Sequence, residues 1–282
     1  MNQTEDSQIL YSQGHDWREP SHPEETNPKQ AHTEQVIANY DQSLSSNPTH
    51  YQTWSSRGYA LEAIGHYEKA LESFDRAIAL QPNYAPAWQG KGIALAKLTR
   101  VEESLTSFQR ALKLQPQDYR AWQNYGKALM TLSRYHEAIT SFDQVIDLKS
   151  DSYKAWYNRA VAQSCLAHYK EALSSLDNAL ILNPNCHYAW NYRGLVLAKL
   201  TRFEDALLSF DRSLQIKPNN ANAWYGKACS YALQYHVEAA LDYLQRAISI
   251  SPYLCRLMAN TDPNFNRIRS NARFQSLVRS TP

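Results

Sequence analysis

Six tryptophans stand 34 residues apart without one insertion: Trp54, Trp88, Trp122, Trp156, Trp190 and Trp224. Prolines keep the same beat at Pro48, Pro82, Pro116, Pro184, Pro218 and Pro252, with Ser150 where one is missing. A fixed period of this length marks a tandem array, in which each unit buries its apolar face only against its neighbours. The period therefore constrains the fold more than any local motif does.

Each unit reads as two helices. In residues 51–83 apolar side chains recur at Trp54, Leu61 and Ile64, break near Gly65, and resume at Tyr67, Ala70, Leu71, Phe74, Ala77 and Ile78. Steps of three and four residues describe amphipathic helices, and Pro82 stops the second one. Four residues after a Trp stand Gly58, Gly92, Gly126 and Gly194, with Ala160 and Ala228 in the other two copies. Glycine inside a helix costs about 1 kcal/mol against alanine. Its recurrence implies a close approach between helices, with Ala70, Ala138, Ala172 and Ala206 as the facing small residues. Phe74, Phe108, Phe142 and Phe210 fill the space beside them.

Trp, then Gly or Ala, then Tyr or Phe, then Ala, Phe, Ala and Pro at this period resembles the tetratricopeptide repeat family. The resemblance covers residues 51–254 as six full copies. It implies an all-α, right-handed superhelical solenoid of tandem antiparallel helix pairs, with first helices lining a concave groove and second helices on the convex side. The related pentatricopeptide arrays, which read RNA, use a unit one residue longer and a different residue pattern.

The ends depart from the repeat. Residues 33–48 align with the second helix of a unit, so 33–50 read as a half repeat. Residues 1–32, rich in Gln, Ser, Glu, Pro and His, read as a disordered tail. Beyond 254 the pattern fails, and 255–282 read as capping helices. Asp262 and Pro263 serve as N-cap and first helical residue. Phe265, Ile268, Phe274, Leu277 and Val278 would close the apolar end of the stack.

Three residues after each Trp lie Arg57, Lys91, Tyr125, Arg159, Arg193 and Lys227. They could form a basic ladder for an acidic ligand, or each could pair internally with a carboxylate. Sixteen residues upstream stand Asp41, Asp75, Gln109, Asp143, Asp177 and Asp211. Every Asp precedes a base, and Gln109 precedes the neutral Tyr125. A further Gln245 precedes Thr261. This matching predicts an ion pair between each repeat and the one before it, with a neutral contact at Gln109–Tyr125.

Chemistry is harder to place. The chain has a net charge of +2, too near neutral for a protein held to nucleic acid by phosphate contacts. Cys165, Cys186, Cys229 and Cys255 fit no metal or disulfide spacing and read as cytoplasmic thiols. The first ten residues lack the basic and apolar regions of a signal peptide, and no apolar run is long enough for a membrane span. No nucleophile elbow, phosphate loop or zinc motif occurs. His66, His168 and His236 share one inter-helix turn slot in separate repeats. Glu102–Glu103 and Glu204–Asp205 open second helices, where they complement the helix dipole. The expectation is a non-enzyme with no cofactor and no metal.

By the family resemblance, function belongs to the concave groove. The slots pointing into it hold Gln89, Arg120, Gln123, Asn124, Lys127, Lys154, Tyr157, Asn158, Tyr188, Asn191, Tyr192, Asn222 and Tyr225. Amides can serve both the N–H and the C=O of an extended peptide, and Tyr adds area with a polar tip. Arg120, Lys127 and Lys154 make the middle of the array its most cationic part. The expected partner is a protein or peptide, with an acidic segment as one candidate. The runner-up is an accessory subunit acting through its convex face or terminal helices. One family branch grips the carboxylate end of chaperone tails with five residues on three repeats. The corresponding positions here are Gln89, Ile93, Asn124, Lys154 and Asn158. Only Asn124 and Lys154 fit, so that ligand is not implied.

Overall fold

The computed structural model describes residues 28–279, which fold into fifteen α-helices, with a short 3-10 turn at Pro263–Phe265 and no strand among them. These residues divide into two compact units, 28–155 and 156–279.

The first unit holds α1 (Pro28–Ser46), α2 (Tyr51–Ala63), α3 (Tyr67–Leu80), α4 (Ala85–Lys97), α5 (Val101–Leu114), α6 (Tyr119–Thr131) and α7 (Tyr135–Leu148). It ends inside α8 (Tyr153–Cys165). The second unit continues with α9 (Tyr169–Leu182), α10 (His187–Lys199), α11 (Phe203–Ile216), α12 (Ala221–Leu233) and α13 (Val237–Ile250). It closes with α14 (Pro252–Thr261) and α15 (Ala272–Arg279). Helices alternate between 13-residue first members and 14-residue second members from α2 to α13. Within each unit every second helix also packs on the first helix that follows it, as α3 does on α4 and α11 on α12. The helix α1 begins at Pro28, five residues before the expected half repeat, because proline suits the first turn of a helix. Ile37 and Leu44 bury its inner face. Residues 28–32 are thus helical, and the rest of the expected tail, 1–27, lies outside the described residues.

The tryptophan–proline beat has a direct cause. The indole N–H of Trp54, Trp88, Trp122, Trp190 and Trp224 donates to the carbonyl of the proline six residues earlier, at 2.8–3.0 Å. Each bond ties a first helix to the proline carbonyl in the turn that follows the preceding helix.

The turn inside each pair is a Schellman motif, in which the N–H two residues beyond the cap returns to the helix. His66 bonds Leu61 in this way, Arg100 bonds Leu95 and Arg202 bonds Leu197, each at 2.9 Å. The motif needs a left-handed residue, yet only the first copy uses glycine, Gly65 (φ 80°). Thr99, Ser133, Ala167, Thr201 and Tyr235 hold the same conformation with φ of 57–64°.

The recurrent helix glycines answer to phenylalanine, and here the sequence expectation needs correction. A Cβ on Gly58 would lie 2.7 Å from the Phe74 ring, on Gly92 2.6 Å from Phe108, on Gly126 2.7 Å from Phe142, and on Gly194 2.6 Å from Phe210. The glycine receives an aromatic ring from its partner helix; the facing residue is Phe, not the expected Ala. The two copies with Ala160 and Ala228 carry Leu176 and Leu244 instead of Phe. Gly90 and Gly226, on the first helices that follow, press on the same Phe74 and Phe210 rings.

At the C-terminal end Phe265, Ile268, Phe274 and Val278 are buried with α12, α13 and α14 in one cluster, and Leu277 packs against it. Asp262 caps the 3-10 turn through the Asn264 N–H (2.9 Å) and accepts from Tyr225 Oη (2.9 Å) and Cys229 Sγ (3.5 Å).

Candidate functional site

The basic slot is internal wherever its two members lie in one unit. Arg57 Nε donates to Asp41 at 2.6 Å and Lys91 Nζ to Asp75 at 2.7 Å in the first unit. In the second, Arg193 Nε meets Asp177 at 2.8 Å and Lys227 Nζ meets Asp211 at 2.6 Å. Gln109 Nε2 donates to Tyr125 Oη at 2.9 Å. Asp143 and Arg159 belong to different units.

The slot also has a second partner that the sequence pattern did not announce. Arg57 Nη1 donates to Ser73 Oγ (2.7 Å), and Arg193 Nη1 to Ser209 Oγ (2.9 Å), sixteen residues downstream. Arg159 reaches the equivalent Ser175 at 3.1 Å. A guanidinium thus links the second helix of the preceding repeat to that of its own, its fork of donors serving both acceptors. In the last copy Tyr243 replaces the serine, and Lys227 lies 4.4 Å from the centre of its ring. Gln245 does not bond Thr261. Its amide oxygen accepts from Arg273 (3.1 Å), which also pairs with Asp242 and Glu238. These cations are spent on the fold.

The expected groove residues divide by environment. Gln89, turned with its nitrogen toward Asp118 Oδ2 (3.1 Å) and its oxygen toward the Ala121 N–H (3.2 Å), ties α4 to the start of α6. Arg120 is exposed and lies beside Tyr119, whose ring also carries Lys149 Nζ at 4.8 Å. The two cations hold the Tyr119 phenol below its ordinary range. Tyr157 meets Tyr188 and Tyr192 edge-on at 4.8 and 5.9 Å. Tyr192, Tyr225 and Asn191 are buried, so they do not stand open as the slot pattern led one to expect. Burial pushes the Tyr192 and Tyr225 phenols up. Tyr225 is covered because the C-terminal turn brings Asp262 and Phe265 onto it. Asn191 keeps a buried Oδ1 with no hydrogen-bond partner. Asn158 and Asn222 are half-buried.

One set stays uncommitted. Gln123, Asn124 and Lys127 on α6 are half-buried, and Lys154 on the first turn of α8 is exposed. Among the described residues none of the four makes a side-chain hydrogen bond or ion pair. Burial, reinforced by Lys154 and Lys97, holds the Lys127 ammonium below its ordinary value. Lys97, at the end of α4, is a cation that the slot pattern passed over, because it lies nine residues after Trp88, outside the slots read as groove-facing. Glu62 on α2, a carboxylate on which the Lys97 charge acts, is itself pushed toward its neutral form by burial.

Other chemistry is limited. His66, His168 and His236 are exposed and open the second helices. Arg100, Arg134 and Arg202 take the same slot elsewhere and pair with Glu103, Glu137 and Asp205 at 2.6 Å. Burial raises the Cys229 thiol well above its ordinary range and that of Cys255 to about 11, so both stay protonated. Among the described residues no group of three metal-ligating side chains occurs, and no helix is long and apolar enough to cross a membrane.

The tetratricopeptide repeat family matches residues 51–84, 90–163, 166–221 and 221–253. No curated protein matches the chain. Among solved structures, YrrB, described as a tetratricopeptide protein with an unusual peptide-binding site, is 26% identical over 67% of this chain and 98% of its own, with a TM-score of 0.55. MamA from Desulfovibrio magneticus is 19% identical over 60% and 96%, with a TM-score of 0.57. A tetratricopeptide repeat protein from Parabacteroides merdae is 15% identical over 90% and 97%, with a TM-score of 0.63. With the helix pairs, the Trp–Pro bonds and the Gly–Phe contacts in place, the chain belongs to the tetratricopeptide repeat family.

Proposed function

We propose that this protein is a non-catalytic cytoplasmic interaction scaffold that holds an extended peptide or an assembly partner against the face lined by its first helices. The observation that carries this reading is the uncommitted set Gln123, Asn124, Lys127 and Lys154, in a unit whose ladder cations Arg57 and Lys91 are paired. A half-buried ammonium among like charges opposes folding, and an acidic ligand would relieve that cost. Neutral amides next to it can take up a peptide's backbone groups. The likeness to YrrB supports a peptide as the ligand.

A second reading rests on separate residues. Ile181 on α9 and Leu208 on α11 are 76% and 65% exposed. Both lie on second helices, where an enzyme or multiprotein complex could take this chain as an accessory subunit.

Co-purification from the native host with the wild type and with Asn124→Ala/Lys154→Ala separates the two. Loss of a partner from the double variant supports the first-helix face. An unchanged partner set, lost instead with Ile181→Ser/Leu208→Ser, moves the function to the second helices.

A further inference from the structure

Three lysines of the first unit that enter no ion pair among the described residues have a counterpart in the same chain. Lys97, Lys127 and Lys154 sit on α4, α6 and α8, three successive first helices, and none enters an ion pair among the described residues. Asp118, the N-cap of α6, is engaged by the Arg120 and Ala121 N–H groups. Residues 1–27 carry Glu5, Asp6, Asp16, Glu19, Glu24 and Glu25 against the single Arg18. The amides of Gln123 and Asn124 beside the lysines can serve backbone N–H and C=O groups of a bound chain.

Reach sets no obstacle. The segment joins α1 at Pro28, in the same unit as the three lysines. Twenty-seven residues span up to about 90 Å when extended, whereas packed helices lie about 10 Å apart. Tethering holds such a segment at an effective concentration on the order of millimolar, enough to fill a site of modest affinity.

We propose that the acidic segment 1–27 occupies the Lys97–Lys127–Lys154 face in cis, as a built-in competitor of acidic peptide partners. This rests on the reading that the first-helix face binds an extended acidic chain, and adds the occupant that holds it in the absence of a partner. Partner binding then requires displacement of the segment, so apparent affinity falls by the fraction of molecules in which the face is covered.

Zero-length carbodiimide cross-linking of the full chain tests this, with isotopically light and heavy protein mixed in equal amounts and a hexaglutamate peptide as probe. The expected result is light–light and heavy–heavy links from Glu19, Glu24 or Glu25 to Lys127 or Lys154, lost at about 0.5 M salt. Neutralising the segment (Glu19→Gln/Glu24→Gln/Glu25→Gln) should tighten hexaglutamate binding at least about threefold. If hexaglutamate links to the three lysines but the segment does not, the cis occupant is wrong and the acidic-peptide reading stands. If neither links, both fall. Links between light and heavy chains alone would also overturn the cis arrangement.

Discussion

Gln109 Nε2 donates to Tyr125 Oη at 2.9 Å, across a junction where the equivalent positions of neighbouring repeats hold Asp and a base. A hydrogen bond replaces an ion pair at the same register, so charge is dispensable at that position while contact between repeats is kept. Tyr125 is buried and meets the Trp122 ring edge-on at 6.2 Å. Tyr125→Arg alone should cost about 1–3 kcal/mol through lost aromatic packing and an unpaired cation. Adding Gln109→Asp should recover about 0.5–1 kcal/mol. A double-mutant cycle from urea unfolding reads the coupling, and a value of zero would mean the ladder adds nothing at this junction.

The pairing of Gly with Phe and Ala with Leu can be exchanged. Leu176→Phe should destabilise by about 1–3 kcal/mol, because Ala160 occupies the space that a ring needs. Ala160→Gly in the same chain should restore most of the loss, although glycine alone costs about 1 kcal/mol in a helix. Thermal unfolding of the two singles and the double decides it; additive losses would show that the rings do not rest on this slot.

Thr99 and Thr201 are β-branched residues at φ of 61° and 59°. Left-handed geometry costs such residues about 1–2 kcal/mol. Thr99→Gly and Thr201→Gly should therefore each stabilise the protein, by up to about 1 kcal/mol after the entropy of glycine in the unfolded chain. A fall in the unfolding midpoint would contradict this.

Lys127 gives a signed pH effect. Its folded pKa lies below the ordinary 10.5, through burial and then the charges of Lys154 and Lys97. Between the folded pKa and 10.5 the unfolded chain binds the extra proton, so this residue makes stability rise with pH across that window. Below the window its charge is a standing cost. Lys127→Met should raise stability at neutral pH and narrow its lead over the wild type as pH approaches 10.5, while weakening hexaglutamate binding. A difference between the two chains that stays constant with pH would refute the assignment.

Asp262 binds the C-terminal turn to α12. Asp262→Ala leaves the buried Tyr225 hydroxyl and Cys229 thiol without their acceptor, at a cost of about 1–3 kcal/mol. Hydrogen exchange should show the loss first in α14 and α15, ahead of α9–α11.

Much of this architecture was legible in the chain because a repeat writes its contacts as a period. The Trp–Pro spacing set the helix pairs, and the sixteen-residue offset between Asp and base gave the junction partners. Ser73 and Ser209 escaped notice since a serine on a helix has no single reading. The left-handed turns escaped because glycine marks only Gly65. Equivalent slots also proved unequal: Asn124 and Asn158 are half-buried, whereas Tyr192 and Tyr225 two and one residues after their tryptophans are covered.

The sequence by itself determined the repeat, its two helices and the register between neighbours, since these depend on which residue types recur and at what distance along the chain. Tertiary structure alone decided which polar side chains are spent and which remain open. That depends on what lies over a residue, and cover comes from other helices: Asp262 and Phe265 for Tyr225, Asp41 and Ser73 for Arg57. Lys127 and Lys154 were left without such partners, which is why the candidate site lies there.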